Sequence, residues 1–252
     1  MIPKTPRPIR PPTLPPAPSP PSRSALGRLL LASALSVVVS FVPFASLLLY
    51  PLRLFVTFIH EGSHALAAIL TGGQAHQIAV MPDASGVTLT SGGFAPLIVM
   101  AGYVGASAYG GAMLTLARRP GAARTVLGTS GIVIALVDLL LVPNVFQNPF
   151  GLGWGIAIAA SLLLAAKRLP AGAAELTAMF LGVQCVVNSL YDLRTLVGLS
   201  TLVNGPVSDA VLMSQIFPLP PIVWAVLWGT LSLVILGAAL RPYWQDAKRL
   251  GT

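Results

Sequence analysis

The sequence predicts an all-α polytopic membrane protein of about six to seven transmembrane helices, with a short β-hairpin at about residues 74–91. Three observations carry this prediction. Of 252 residues, 55% are hydrophobic and 9% charged, where a soluble domain carries roughly a quarter charged residues. The apolar residues fall in blocks of about 18–25, long enough as helix to cross a hydrocarbon core of roughly 30 Å. One stretch between these blocks alternates apolar and polar residues around a turn sequence and has Gly-Gly at both ends.

Residues 1–24 read as a disordered Pro/Arg-rich tail. Positions 1–22 hold ten prolines and no acid, and proline removes backbone donors and fixes φ. The net charge of +8 does not indicate nucleic-acid binding. Five of the fifteen basic residues (Lys4, Arg7, Arg10, Arg23 and Arg28) lie in the first 28 positions, and most others sit in short loops. That distribution marks cytoplasmic flanks and places the N-terminal tail in the cytoplasm. Residues 25–241 form the membrane domain and 242–252 a short basic C-terminal tail. The single cysteine, Cys185, lies in an apolar block, so it forms no intrachain disulfide and packs as a small hydrophobe.

The first apolar block runs from about Ala25 to Tyr50, with Pro43 a candidate kink. Pro51 and Arg53 separate it from a second helix, about Leu52 to Thr71, which the Gly-Gly pair at 72–73 stops. Residues 74–91 form two β-prone runs around "PDASG". The third span, about Phe94 to Ala117, places small residues four apart (Ala101 and Gly105, Ala106 and Gly110), which lets helix backbones approach closely in lipid. Further spans are expected at about 125–142, 150–166, 174–199 and 221–240. A polar, Pro-bearing loop precedes the last of these.

The chemistry lies in "HEGSH", residues 60–64. Histidines four apart on a helix share a face one turn apart, so His60 and His64 can hold one Zn²⁺. Glu61, beside the first of them, can reach a water on the metal and act as general base. Ionisable groups within an apolar span are costly and default to function. A catalytic site of this type takes three protein ligands. Asp192 is the favoured third ligand, near the end of the sixth span with Asn188 one turn earlier on the same face. Asp138 within a span, Asp209 and His76 in loops, and Glu175 at a helix start are the other candidates.

A membrane helix bearing this motif, a Gly-flanked hairpin with "PDASG", and a distant "NSLYDLRTL" at 188–196 together resemble the site-two protease family of intramembrane zinc metalloproteases, in its compact bacterial multi-span branch. The resemblance covers roughly residues 45–240. It implies zinc held by His60, His64 and Asp192, with Glu61 as the base, and a bacterial plasma-membrane location. Gly62 stands where the family's motif usually has a bulky residue. The implied substrate is a membrane-anchored protein, received as an extended strand at an edge of the hairpin. The competing function is a noncatalytic metal-binding membrane scaffold on the same fold, with a transporter as the more remote one.

Overall fold

The computed structural model describes the backbone of residues 23–41, 45–119, 121–143, 146–199 and 208–251. Its elements are α1 (Arg23–Phe41), α2 (Ala45–Leu70), β1 (Gln74–Val80), β2 (Gly86–Ser91), α3 (Ala95–Ala117), α4 (Ala122–Leu141), α5 (Pro149–Arg168), α6 (Ala171–Leu199), α7 (Asp209–Ile216) and α8 (Pro221–Gly251). The chain is thus mostly helical with one two-stranded antiparallel sheet, as the apolar blocks and the Gly-flanked stretch predict.

Among the described residues, four helices are long and apolar enough to cross a membrane: Ala95–Ala117, Ala122–Leu141, Pro149–Arg168 and Pro221–Asp246. Four of the six to seven expected spans therefore have matching helices. α2 is not among the four, and it carries Arg53, His60, Glu61 and His64 along an otherwise apolar run. Large apolar side chains leave these helices outward, with Leu136, Leu139, Leu140, Val226 and Val234 all exposed. That is the surface a lipid solvent requires.

The break between the first two helices differs from the expectation. α2 begins at Ala45 and runs through Pro51, so the proline lies inside the helix rather than before it. A proline in an apolar helix forfeits one backbone hydrogen bond, and neighbouring elements can compensate for that. The residues around Pro43, at 42–44, lie outside the described residues. At the other end of the chain α8 continues through Pro242 to Gly251, past the end expected for the last span.

α3 is the central helix, packed against α2, α6 and α8. Its small residues do what their spacing predicts. A Cβ at Gly110 would lie 2.6 Å from Gly182 O of α6, and one at Gly182 would lie 2.9 Å from Gly110 O, so two backbones meet directly. Cys185 is fully buried beside this contact. Polar pairs then fix α3 to α8. Ser107 Oγ donates to Ser232 Oγ at 2.7 Å, Tyr243 Oη to Leu114 O at 2.6 Å, and Arg118 pairs with Asp246 at 3.0 Å. Arg28 and Glu175 form an ion pair between α1 and α6.

The hairpin has the register Gln77↔Leu89, Ile78↔Thr88, Ala79↔Val87 and Val80↔Gly86, with a bulge at His76. Its turn closes with Ala84 N donating to Met81 O and Met81 N to Ser85 O, both at 2.9 Å, and Ala84 takes the left-handed φ of 67°. Asp83 stabilises that turn by accepting from Ser85 N at 2.9 Å and Ser85 Oγ at 2.6 Å. These bonds hold the exposed Asp83 carboxyl below its usual range. The hairpin lies along α2: Tyr50 Oη donates to Pro82 O at 2.6 Å and Thr57 Oγ1 to Ala84 O at 2.7 Å, both near the turn. At the other end Gly73 abuts Gly92 and Gly93. β2 therefore runs beside α2 in the same direction.

Candidate metal centre

Helical periodicity puts Arg53, Thr57, His60, Glu61 and His64 on one side of α2, and all five line a single cavity of about 490 Å³. Gly86, Val87, Thr88 and Thr90 of β2 form part of its wall. α3 contributes Tyr103, and α7 contributes Asp209. Glu61 and His64 are buried at 5% and 7% exposure, while His60 and Asp209 are half-buried and reach the cavity space.

Two imidazoles and one carboxylate converge there. Asp209 Oδ2 lies 3.1 Å from His60 Nε2 and 3.3 Å from His64 Nε2. One ligand atom from each of the three residues lies within 4.8 Å of the others, and His60, His64 and Asp209 are the only such group among the described residues. His64 Nδ1–H donates to Ile98 O at 2.6 Å, which fixes the ring and leaves Nε2 as the ligating atom. His60 meets the ring of Tyr103 edge-on at 4.9 Å, and Tyr103 stacks on Trp228 at 5.5 Å. Burial would raise the Asp209 pKa, but its close contacts with the His60 and His64 rings outweigh that and hold the carboxyl well below the usual range.

α3 leaves room for the two rings because it has glycine opposite them. A Cβ at Gly102 would overlap His60 Nε2 and would sit 2.5 Å from His64 Nε2. One turn on, a Cβ at Gly105 would lie 2.6 Å from Ser63 Cβ. Gly62, the departure from the family's usual motif, faces α4, where a Cβ would stand 3.3 Å from Val137 Cγ2 and ask that side chain to give by a few tenths of an ångström.

Glu61 is held from the hairpin side. Thr88 Oγ1 donates to Glu61 Oε2 at 2.6 Å, a short charge-assisted bond. Gly86 of β2 packs so close that a Cβ there would lie 2.6 Å from Glu61 Cγ. The strand and the acid are thus fitted to each other.

The other candidates from the sequence lie elsewhere. Asp138 is fully buried on α4 and faces Gly155 of α5. Glu175 pairs with Arg28, and His76 at the bulge shares a hydrogen bond with Ser91 Oγ at 2.6 Å. Asp192 falls in the last turns of α6, where the side chains lie outside the described residues. Asp209, expected in a loop, opens the eight-residue α7. Ser208 caps that helix by accepting from Val211 N at 3.4 Å, so "SDAVLM" carried a start signal: a capping serine, an acid in the first turn and an apolar run.

The model of a family described as Peptidase M50B-like matches residues 30–239, which begin inside α1 and end inside α8 and so enclose the whole site. No curated protein and no solved structure matches the chain.

Proposed function

As the chain belongs to the peptidase M50B-like family, the site-two protease family, we propose that it is an intramembrane zinc metalloprotease hydrolysing peptide bonds of membrane-anchored protein substrates. The observation that carries this reading is the meeting of His60, His64 and Asp209 beside Glu61, in a cavity walled by a β-strand.

The donor set suits zinc. Two imidazole nitrogens and one carboxylate oxygen form the three-ligand pattern of catalytic sites that keep a fourth position open. Tetrahedral zinc with bonds of about 2.0–2.2 Å spaces its ligand atoms roughly 3.4 Å apart. The separations of 3.1 Å and 3.3 Å from Asp209 to the two histidines are close to that. We assign His60, His64 and Asp209 as the ligands, with Asp192 as the residue that Asp209 displaces from the sequence-based assignment. A zinc ion held there supplies a Lewis acid that makes water a nucleophile near neutral pH.

The chain's own groups do the remainder. Ile98 O orients His64, and Tyr103 packs against the His60 ring. The Glu61 carboxylate takes the proton of the attacking water and delivers it to the leaving amine nitrogen. Thr88 holds that carboxylate in place through Oε2. The substrate lies extended along β2, adding a strand whose backbone is then open to attack, since a helical peptide bond is shielded by its own hydrogen bonds. The four apolar helices and the family make the protein an integral membrane protein. Its proposed location is a bacterial plasma membrane, with the N-terminal tail in the cytoplasm.

The test is turnover of synthetic transmembrane-segment peptides by the zinc-loaded protein and by its Glu61→Gln variant. Loss of the base should cost about 10²–10⁴-fold in rate with zinc retained. A zinc-loaded Glu61→Gln protein that cleaves at the wild-type rate would end the mechanism. Zinc binding without turnover in either protein would point instead to a noncatalytic metal-binding scaffold.

A further inference from the structure

The cavity has an end that the zinc chemistry does not use. Arg53 lines it, exposed, seven residues before His60 on the same side of α2. Among the described residues it is the only Lys or Arg in the cavity wall. No ion pair or side-chain hydrogen bond engages its guanidinium among the described residues. Its charge is felt by the exposed Asp83 carboxylate, whose hydrogen bonds go to Ser85.

Position along the groove gives Arg53 its meaning. The hairpin turn lies at the Arg53–Thr57 end of α2, Thr88 lies at Glu61, and the hairpin base lies beyond His64. A strand added beside β2 would therefore run the length of α2, from Arg53 past the metal ligands. Seven residues of helix rise about 10 Å. An extended chain covers about 3.3 Å per residue, so that distance is about three substrate residues.

We propose that Arg53 is a specificity-determining residue whose guanidinium takes an Asp or Glu side chain of the substrate, about two to four residues from the bond that is cut. A guanidinium matches a carboxylate with two parallel hydrogen bonds, which supplies register as well as attraction. That pairing sets which stretch of the substrate reaches Glu61. The inference rests on the protease reading above.

The experiment uses a set of transmembrane-segment peptides in detergent micelles. Each carries aspartate, asparagine or lysine at one position within four residues of the cut, and products are identified by mass spectrometry. The wild type should prefer aspartate at one position, on one side of the cut only, by about tenfold in kcat/KM, the ratio a single charge-assisted pairing gives. Arg53→Gln should collapse that ratio towards one, and Arg53→Glu should shift the preference to lysine at the same position.

A second readout does not need turnover. Short peptides ending in a hydroxamate, with aspartate or asparagine three residues away, are titrated into zinc-loaded wild type and Arg53→Gln. The aspartate peptide should bind wild type about tenfold more tightly, and the variant should bind both alike. Equal preference in wild type, or an unchanged aspartate preference in Arg53→Gln, overturns the inference and leaves the protease reading standing. An effect of Arg53 that follows anionic lipid in the micelle rather than peptide charge assigns it to a headgroup and overturns the inference as well. A wild type that neither cleaves nor binds any of these peptides removes the protease reading, and the inference with it.

Discussion

Asp209 Oδ2 stands 3.1 Å from His60 Nε2 across 149 residues of sequence. This contact joins α7 to α2. If zinc occupies the site, its ligands come from a helix near the start of the chain and from a short helix just before α8, so metal binding ties two distant segments together. Asp209→Ala should then lower zinc affinity by at least about 100-fold, since even residues that only support a ligand cost 10–100-fold. Asp192→Ala should bind zinc as the wild type does. Zinc content of the two purified variants decides between the aspartates. The reverse result would return the third ligand to α6.

Thr88 offers a second check, because it touches the acid and not the metal group. Thr88→Val keeps the shape and β-propensity of the side chain and removes the donor to Glu61 Oε2. A hydrogen bond to a charged group contributes about 1.5–3 kcal/mol. If that energy holds the carboxylate in its working orientation, turnover should fall about tenfold or more with zinc content unchanged. A loss of zinc would mean that the hairpin shapes the metal centre itself.

The histidine pair and its glutamate were legible because a helix converts a four-residue spacing into a shared face, whatever the tertiary structure does. The hairpin was legible for a similarly local reason. "PDASG" forms its own turn through Asp83 and Ser85, and the Gly-Gly pairs permit the tight entry and exit where Gly73, Gly92 and Gly93 meet. The meeting of Asp209 with the histidines was not legible, because no periodicity links residues so far apart. Asp209 also follows a Pro- and Gly-bearing stretch, whereas Asp192 lies in a long apolar helix. The start of α2 was misplaced for a different reason. Pro51 looks like a boundary by the rules for helices in water, yet α2 runs through it.

Asp138 tests whether buried acids in this fold need be functional. It is fully buried on α4, but it packs against Gly155 of α5 and does not line the cavity. Asp138→Asn should therefore leave zinc content unchanged. Gly155→Ala should destabilise the α4–α5 pair by about 1–3 kcal/mol, because the new Cβ would overlap the Asp138 carboxyl. Thermal unfolding in detergent measures the second effect, and the double variant Asp138→Ala with Gly155→Ala should recover part of it. Zinc loss in Asp138→Asn would show that α4 reaches the metal centre by a route the geometry does not contain.

Gly102 separates the fold from the site most cleanly. Alanine is the better helix former, by about 1 kcal/mol within a helix, so Gly102→Ala on backbone grounds should leave α3 as stable or more so. The added Cβ, however, would occupy the space of His60 Nε2 and lie 2.5 Å from His64 Nε2. Both rings would have to turn, and His64 could do so only by giving up its 2.6 Å bond to Ile98 O. The expected outcome is a protein with wild-type helix content and zinc affinity reduced by about 100-fold or more, as for loss of a supporting contact on both histidines. Gly105→Ala, one turn along the same helix but facing Ser63, should retain zinc even if packing suffers. Wild-type zinc affinity in Gly102→Ala would mean that the two imidazoles do not occupy the space between α2 and α3 when metal is bound.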